Sequence, residues 1–238
     1  MTVSKTGFYT HEDCRKHEMG PGHPECPERL DAIQDRLLVS GVSDALEHLE
    51  APLASLNDIE LAHDRLHVAA LRGLTLRLVE EQAAGGPEHT SLDSDTSINA
   101  HTWTAALRAA GAAMAATDAV LAGELENAFC MVRPPGHHAT RSKAMGFCFF
   151  NNVAVAAKYA LERHGLKRVA IVDFDVHHGN GTQDVLWNEG RALFASSHQM
   201  PLYPGTGAAS ERGAHDQIVN VPLPAGSDGA LARAVWRD

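Results

Sequence analysis

The stretch at 168–173, RVAIVD, constrains this chain more than any other segment. Its centre is a continuous apolar run rich in β-branched residues, the pattern of a strand buried on both faces of a parallel sheet. Helical patterns alternate with short apolar runs around it. Leu30, Ile33, Leu37 and Leu38 predict a helix over 28–39, with Pro27 at its start. Leu66, Ala69, Ala70, Leu74, Leu78 and Val79 predict another over 64–82. The alanine-rich segment 101–121 reads as helix on propensity, 151–162 also reads as helix, and 182–188 as a shorter one. Strands are expected at 7–10, 128–132, 192–196 and 217–221. This order argues for a single α/β domain over 1–238 with a mainly parallel sheet. The breaks at 84–87 and 201–207 read as loops within it.

Composition enters mainly by exclusion. Hydrophobic residues make up 44% and charged residues 21% of 238, which excludes wholesale disorder. The formal charge of −10 argues against nucleic acid as a partner. No run of 18 apolar residues and no apolar leader segment occurs, so no membrane association is expected. Cys14, Cys26, Cys130 and Cys148 form no C-x-x-C pair, which suggests neither a disulfide framework nor a thiolate zinc site. A reducing cytoplasm is the expectation. Fifteen histidines outnumber phenylalanine, tyrosine and tryptophan together, so histidine is the unusual component.

In parallel α/β sheets, ligands bind beyond the carboxyl ends of the strands. The sequence changes character at those points. The loop after Val132 reads RPPGHHA, the one after Val172 reads DFDVHHGNGTQD, and the one after Ser196 reads SHQMPLYPGTG. If the strand continues past Asp173, then Asp173, Asp175 and His177 share a face. Two carboxylates aimed together repel, and a bound cation removes that penalty. Asp175 and His177 offer one oxygen and one nitrogen, a set that suits zinc as well as Fe(II), Co(II) or Mn(II). The alternative is a helix cap with hydrogen-bonded turn residues.

His137 and His138 are adjacent, and only an irregular loop directs both into one pocket. There they could divide the taking and giving of a proton. The alternative is a pair facing solvent. Asp173 would fix the tautomer of one histidine, whereas Asn180 could only hydrogen-bond the other; spacing leaves open which takes which. Gly146-Phe147-Cys148-Phe149-Phe150 reads either as core or as a segment with one ring facing Tyr203 across a slot for an alkyl chain.

Taken together, HPECPERL, RPPGHHA, GFCFFNNVAVAA, VDFDVHHGNGTQ and YPGTG resemble, in order and spacing, the histone deacetylase superfamily. HHGNGTQ and Asn180 are more similar to the class II branch and its bacterial relatives, which include acetylpolyamine amidohydrolases. The resemblance covers nearly the whole chain. It implies an arginase-like fold, with a mainly parallel sheet flanked by helices on both faces. It also implies a zinc-dependent amidohydrolase that removes acyl groups from lysine side chains or other N-acetylated amines by activated water, with one metal per chain.

By the same resemblance, Asp175 and His177 match two metal ligands. His138 matches the general acid/base, His137 its electrostatic partner, and Asp173 and Asn180 the residues that hold these histidines. Phe147 and Tyr203 match tunnel walls, and the Gly146 carbonyl matches an acceptor for the substrate amide. Asp173, Asp175, His177, Ser196 and Ser197 match a structural potassium site. Asp93 or Asp95 matches a rim aspartate that grips substrate. The family's second aspartate ligand, in an S-x-G-F-D-x-H motif, and its tyrosine, in a G-G-Y motif, do not occur in the sequence. The expectation is therefore a domain incomplete at its C-terminus, read first as a fragment of a longer enzyme. The alternatives are an acetylpolyamine or other small-molecule amidohydrolase, an inactive homologue that binds acyl-lysine, and a chain completed by a partner. An oligomer is compatible with each.

Overall fold

The computed structural model describes residues 5–237. The chain builds two three-stranded parallel sheets and a small antiparallel pair, with helices packed between and around them. The first sheet has the order β2-β1-β5, from β1 (Thr6–Thr10), β2 (Leu46–Glu50) and β5 (Asn127–Cys130). The second runs β6-β7-β8, from β6 (Val169–Asp173), β7 (Ala192–Gln199) and β8 (Ile218–Leu223). The antiparallel pair is β3 (His89–Ser91) with β4 (Ser97–Asn99). The parallel α/β architecture matches the sequence expectation. The short strands β2, β3 and β4 were not expected.

The helices are α1 (Asp13–Lys16), α2 (Glu28–Val39), α3 (Leu56–Ile59), α4 (Arg65–Ala83), α5 (Thr102–Leu121), α6 (Asn152–Glu162), α7 (Asn180–Leu186) and α8 (Gly229–Val235). Alanine in α5 allows close approach: Ala105, Ala106, Ala109, Ala110 and Ala112 are buried. Gly111 lies so near the Pro52 carbonyl that a Cβ there would collide with backbone. The main core joins Leu71, Leu78, Ile98, Phe149, Phe150, Val155, Ile171, Leu186, Phe194 and Ile218, so α4, α5, α6 and the second sheet share it. None of the described helices is long and apolar enough to cross a membrane.

Two expectations about β6 are corrected. The strand is not buried on both faces: Ile171 is buried, but Val172 is 55% exposed. On the same face of the sheet Leu193 and Val219 are also exposed, although Ala195, the register neighbour of Val172, is buried. Trp236, the residue after α8, reaches this face and donates Nε1–H to Ser197 Oγ at 3.2 Å. Nor does the strand continue beyond Asp173. Asp173 Oδ1 accepts the Asp175 amide (3.1 Å) and Asp175 Oδ1 accepts the His177 amide (2.8 Å), so two successive side-chain turns replace the strand ladder.

Candidate active site

The tandem histidines sit in the loop between β5 and α6, and four hydrogen bonds fix it. The Gly181 and Thr182 amides, at the start of α7, donate to the His137 carbonyl at 2.9 and 3.1 Å. Asn151, fully buried, donates its amide to the Ala139 carbonyl at 3.3 Å and caps α6 through Ala154 N–H. Asn152 donates to the Pro134 carbonyl at 3.2 Å. The irregular backbone this produces turns both imidazoles to the same side, with ring centroids 4.0 Å apart.

Their partners differ, and the structure resolves what spacing left open. His137 Nδ1 lies 2.9 Å from Asp173 Oδ2, and His138 Nδ1 lies 2.7 Å from Asn180 Oδ1. Both partners are acceptors, so each ring carries its proton on Nδ1 and turns Nε2 to the cavity. Burial, reinforced by the neighbouring His137, pushes the His138 imidazole down to about 4. Burial alone would raise Asp173; the hydrogen bond and charge of His137 and the Asp175 amide outweigh it, and its carboxyl lies below the usual range.

Asp175 Oδ1 and His177 Nδ1 are 3.2 Å apart, with side chains 49% and 38% exposed. His137 Nε2 faces the same Asp175 oxygen at 4.0 Å. The turns after β6 thus bring together the residues that alternation was expected to align. One oxygen and one nitrogen at this separation fit two corners of a tetrahedral zinc-type shell. Among the described residues no group of three His, Cys, Asp or Glu is placed to hold a metal, so these residues supply half of such a shell.

For the potassium expectation, Asp173 and Ser196 are register neighbours on β6 and β7. The Ser196 hydroxyl contacts His198 Nδ1 (3.0 Å), whereas the Ser197 hydroxyl, one residue along the strand, meets Trp236. The two serine side chains therefore leave β7 on opposite faces, and Ser197 does not bring its hydroxyl to the Asp173 side.

A cavity of about 400 Å³ opens over these groups, lined by His137, His138, Gly146, Phe147, Asp175, His177 and Tyr203. Tyr203 meets His138 edge-on at 5.1 Å between centroids, and Phe147 meets His23 at 4.6 Å. Gly146 has φ +56, and a Cβ there would stand 2.5 Å from His138 Cδ2, so only glycine lets this backbone lie against the imidazole. Its carbonyl accepts the Cys148 thiol at 3.2 Å. Of the two rim candidates, Asp95 lines the cavity, and burial together with the neighbouring Asp93 pushes its carboxyl up. Asp93 instead turns inward to accept the Asp95 and Thr96 amides.

Sequence reasoning missed Glu25 and Arg29, which also line the cavity. Glu25 is clamped by the fully buried Arg133, with Nε and Nη2 at 2.6 and 2.7 Å, and by Arg29 at 2.7 Å. Both acid and base lay within the motifs HPEC and RPPG; the signal was a charged residue beside prolines in each.

With this geometry in view, comparison with known proteins is informative. The histone deacetylase domain family matches residues 23–238. The chain belongs to this family. A probable deacetylase of Archaeoglobus fulgidus is 44% identical over 227 residues, covering 93% of this chain and 60% of that protein. A histone deacetylase-like amidohydrolase of Pseudomonas aeruginosa is 38% identical over 255 residues, covering 98% and 64%. The crystal structure of the HDA15 HD domain superposes with a TM-score of 0.83 at 37% identity, covering 93% of this chain and 62% of that one. This histone deacetylase domain therefore has the family's α/β fold, and it spans less than two thirds of the length of these relatives.

Proposed function

We propose that the cavity is the acyl-transfer site of a metal-dependent amidohydrolase that removes acetyl groups from lysine side chains or other N-acetylated amines, acetylated polyamines among them. The observation that carries this reading is the unequal pairing of the tandem histidines, His137 with a carboxylate and His138 with a neutral amide, beside the Asp175–His177 donor pair. Asp175 and His177 would hold a zinc ion, for which Fe(II), Co(II) or Mn(II) is an alternative. When bound, such an ion polarises an amide carbonyl and acidifies water. The chain's own residues account for the rest. Phe147 and Tyr203 would confine the alkyl chain, and Asp95 at the mouth would orient the amine-bearing portion. His138, neutral with Nε2 facing the cavity, would take the proton of the attacking water and return it to the departing nitrogen. His137, fixed by Asp173, would balance the charge that develops beside it. Acetate and a free amine result.

A second reading rests on the donor count: with two protein donors where a catalytic zinc usually has three, the chain would bind an acyl-lysine without turning it over. The test is acetate release from an acetyl-lysine peptide by the chain supplied with zinc, against His138→Ala. Zinc-dependent release that His138→Ala abolishes supports the hydrolase. Peptide binding without release supports the second reading. Release that survives chelation and His138→Ala refutes both.

A further inference from the structure

The loop carrying Tyr203 is held from beneath by a buried polar network that the proposed chemistry does not use. His178 and His198 are 1% and 2% exposed, with ring centroids 4.7 Å apart. Gln183 Oε1 accepts from Asn220 Nδ2 (2.7 Å) and lies 3.1 Å from His178 Nε2, so that nitrogen carries the proton. His178 Nδ1 then accepts the Thr206 hydroxyl at 2.8 Å. His198 donates Nε2–H to the Gly207 carbonyl at 3.0 Å and accepts the Ser196 hydroxyl on Nδ1 at 3.0 Å.

The Glu211 carboxylate closes the network. It accepts the Gly207 amide (3.1 Å), the Ala208 amide (3.2 Å) and Gln183 Nε2 (2.6 Å). Gly207, at φ +93, lies against both imidazoles, where a Cβ would strike His198 and His178. All four ring nitrogens thus have partners on the loop, on β7 or on α7. Apolar side chains of the same volume would hold a surface loop at least as firmly. A polar network in which both imidazoles are satisfied at every ring nitrogen adds a single specified geometry, although Asn220 Oδ1 at its edge is buried without a partner.

We infer that Glu211 is a positioning residue for the Tyr203 wall of the cavity. Its carboxylate presses the Gly207 and Ala208 amides onto His178 and His198, and His178 joins that loop to the backbone immediately after His177. The inference rests on the reading of this cavity as the acyl-amine site. Glu211→Gln keeps the volume but replaces one acceptor oxygen with a donor, so one of the three donors now served meets another donor.

The test is amide exchange and imidazole NMR on the 238-residue chain. In Glu211→Gln at least one of the Gly207 and Ala208 amides, which bond different carboxylate oxygens, is expected to exchange ~10- to ~100-fold faster, the loss of a hydrogen bond to a charged group. The Phe194 and Ala195 amides of β7 should be unchanged, and the His138 ring signals should shift as Tyr203 moves. Thr206→Val, at an exposed position, removes only the hydroxyl donated to His178. It should produce the same His138 shift, and it carries the test if the first variant does not fold. Unchanged loop exchange in Glu211→Gln, or unchanged His138 signals in Thr206→Val, overturns the inference. Neither readout needs metal or turnover, so it can fail independently of the hydrolase reading.

Discussion

Arg133→Met should expose how strongly the N-terminal segment is tied to the tandem-histidine loop. Arg133 is fully buried, and its guanidinium donates to both Glu25 oxygens and to the Cys14 and His17 carbonyls, the latter at 2.9 and 2.8 Å. Removing one partner of a buried ion pair costs about 3–5 kcal/mol. Glu25 retains Arg29 at 2.7 Å, so Arg133→Met should fall near the lower end, about 3 kcal/mol. Glu25→Leu leaves a buried guanidinium with carbonyls alone and should cost about 5 kcal/mol. The double variant leaves neither charge stranded and should cost clearly less than the two losses added, with a coupling of about 2 kcal/mol or more. Urea unfolding of the four proteins supplies the cycle. Single losses under about 1 kcal/mol, or additivity within about 0.5 kcal/mol, would refute the argument that this pair organises the loop.

Further expectations follow from packing and titration. Gly146→Ala should drive a methyl into His138 and cost at least about 1–3 kcal/mol by overpacking and backbone strain, read by thermal unfolding; a neutral result would contradict the close contact. Phe174, 81% exposed beyond the end of β6, should tolerate Phe174→Ser within about 0.5 kcal/mol, and a larger loss would mean that side chain is covered. His63 and His17 are held neutral, burial pushing each down to about 3 from an ordinary 6.5. Above the ordinary value neither state binds the proton, so stability is unaffected. Below it only the unfolded chain does, so stability should fall by about 1.4 kcal/mol per pH unit per histidine, or about 2 kcal/mol each near pH 5. Burial lowers His138, His178, His67 and His198 as well, so they add to the same fall, and His63→Gln should remove only its own share, about 1.4 kcal/mol per pH unit, in urea titrations across this range; an unchanged slope would show that His63 does not contribute to the acid limit.

The long elements were legible because their periodicity and their burial agree. The predicted range of α2 matches the structure residue for residue, and α4, α5 and α6 differ only at their ends. The charged LEHLE of β2 and the three-residue β3 carry no comparable pattern, since they are fixed by a neighbouring strand rather than by a buried face, and β4, though it buries Ile98, is too short to show a period. RVAIVD suggested two-sided burial because composition cannot distinguish a covered face from an open one, and Val172 lies on the open one. At the site, the residue types were legible but their pairing was not. His137 meets Asp173 and His138 meets Asn180 through loop geometry set by Asn151, Asn152 and the start of α7, and none of these contacts has a period in sequence.

The central claim is that Asp175 and His177 converge on one cation beside His138. Zinc titration followed by imidazole nitrogen NMR tests it most directly. The account predicts that His177 Nδ1 shifts on zinc addition and that Asp175→Ala abolishes this shift while the His178 and His198 signals stay fixed. A zinc response centred on His178 or His198, or a His177 shift that persists in Asp175→Ala, would contradict it.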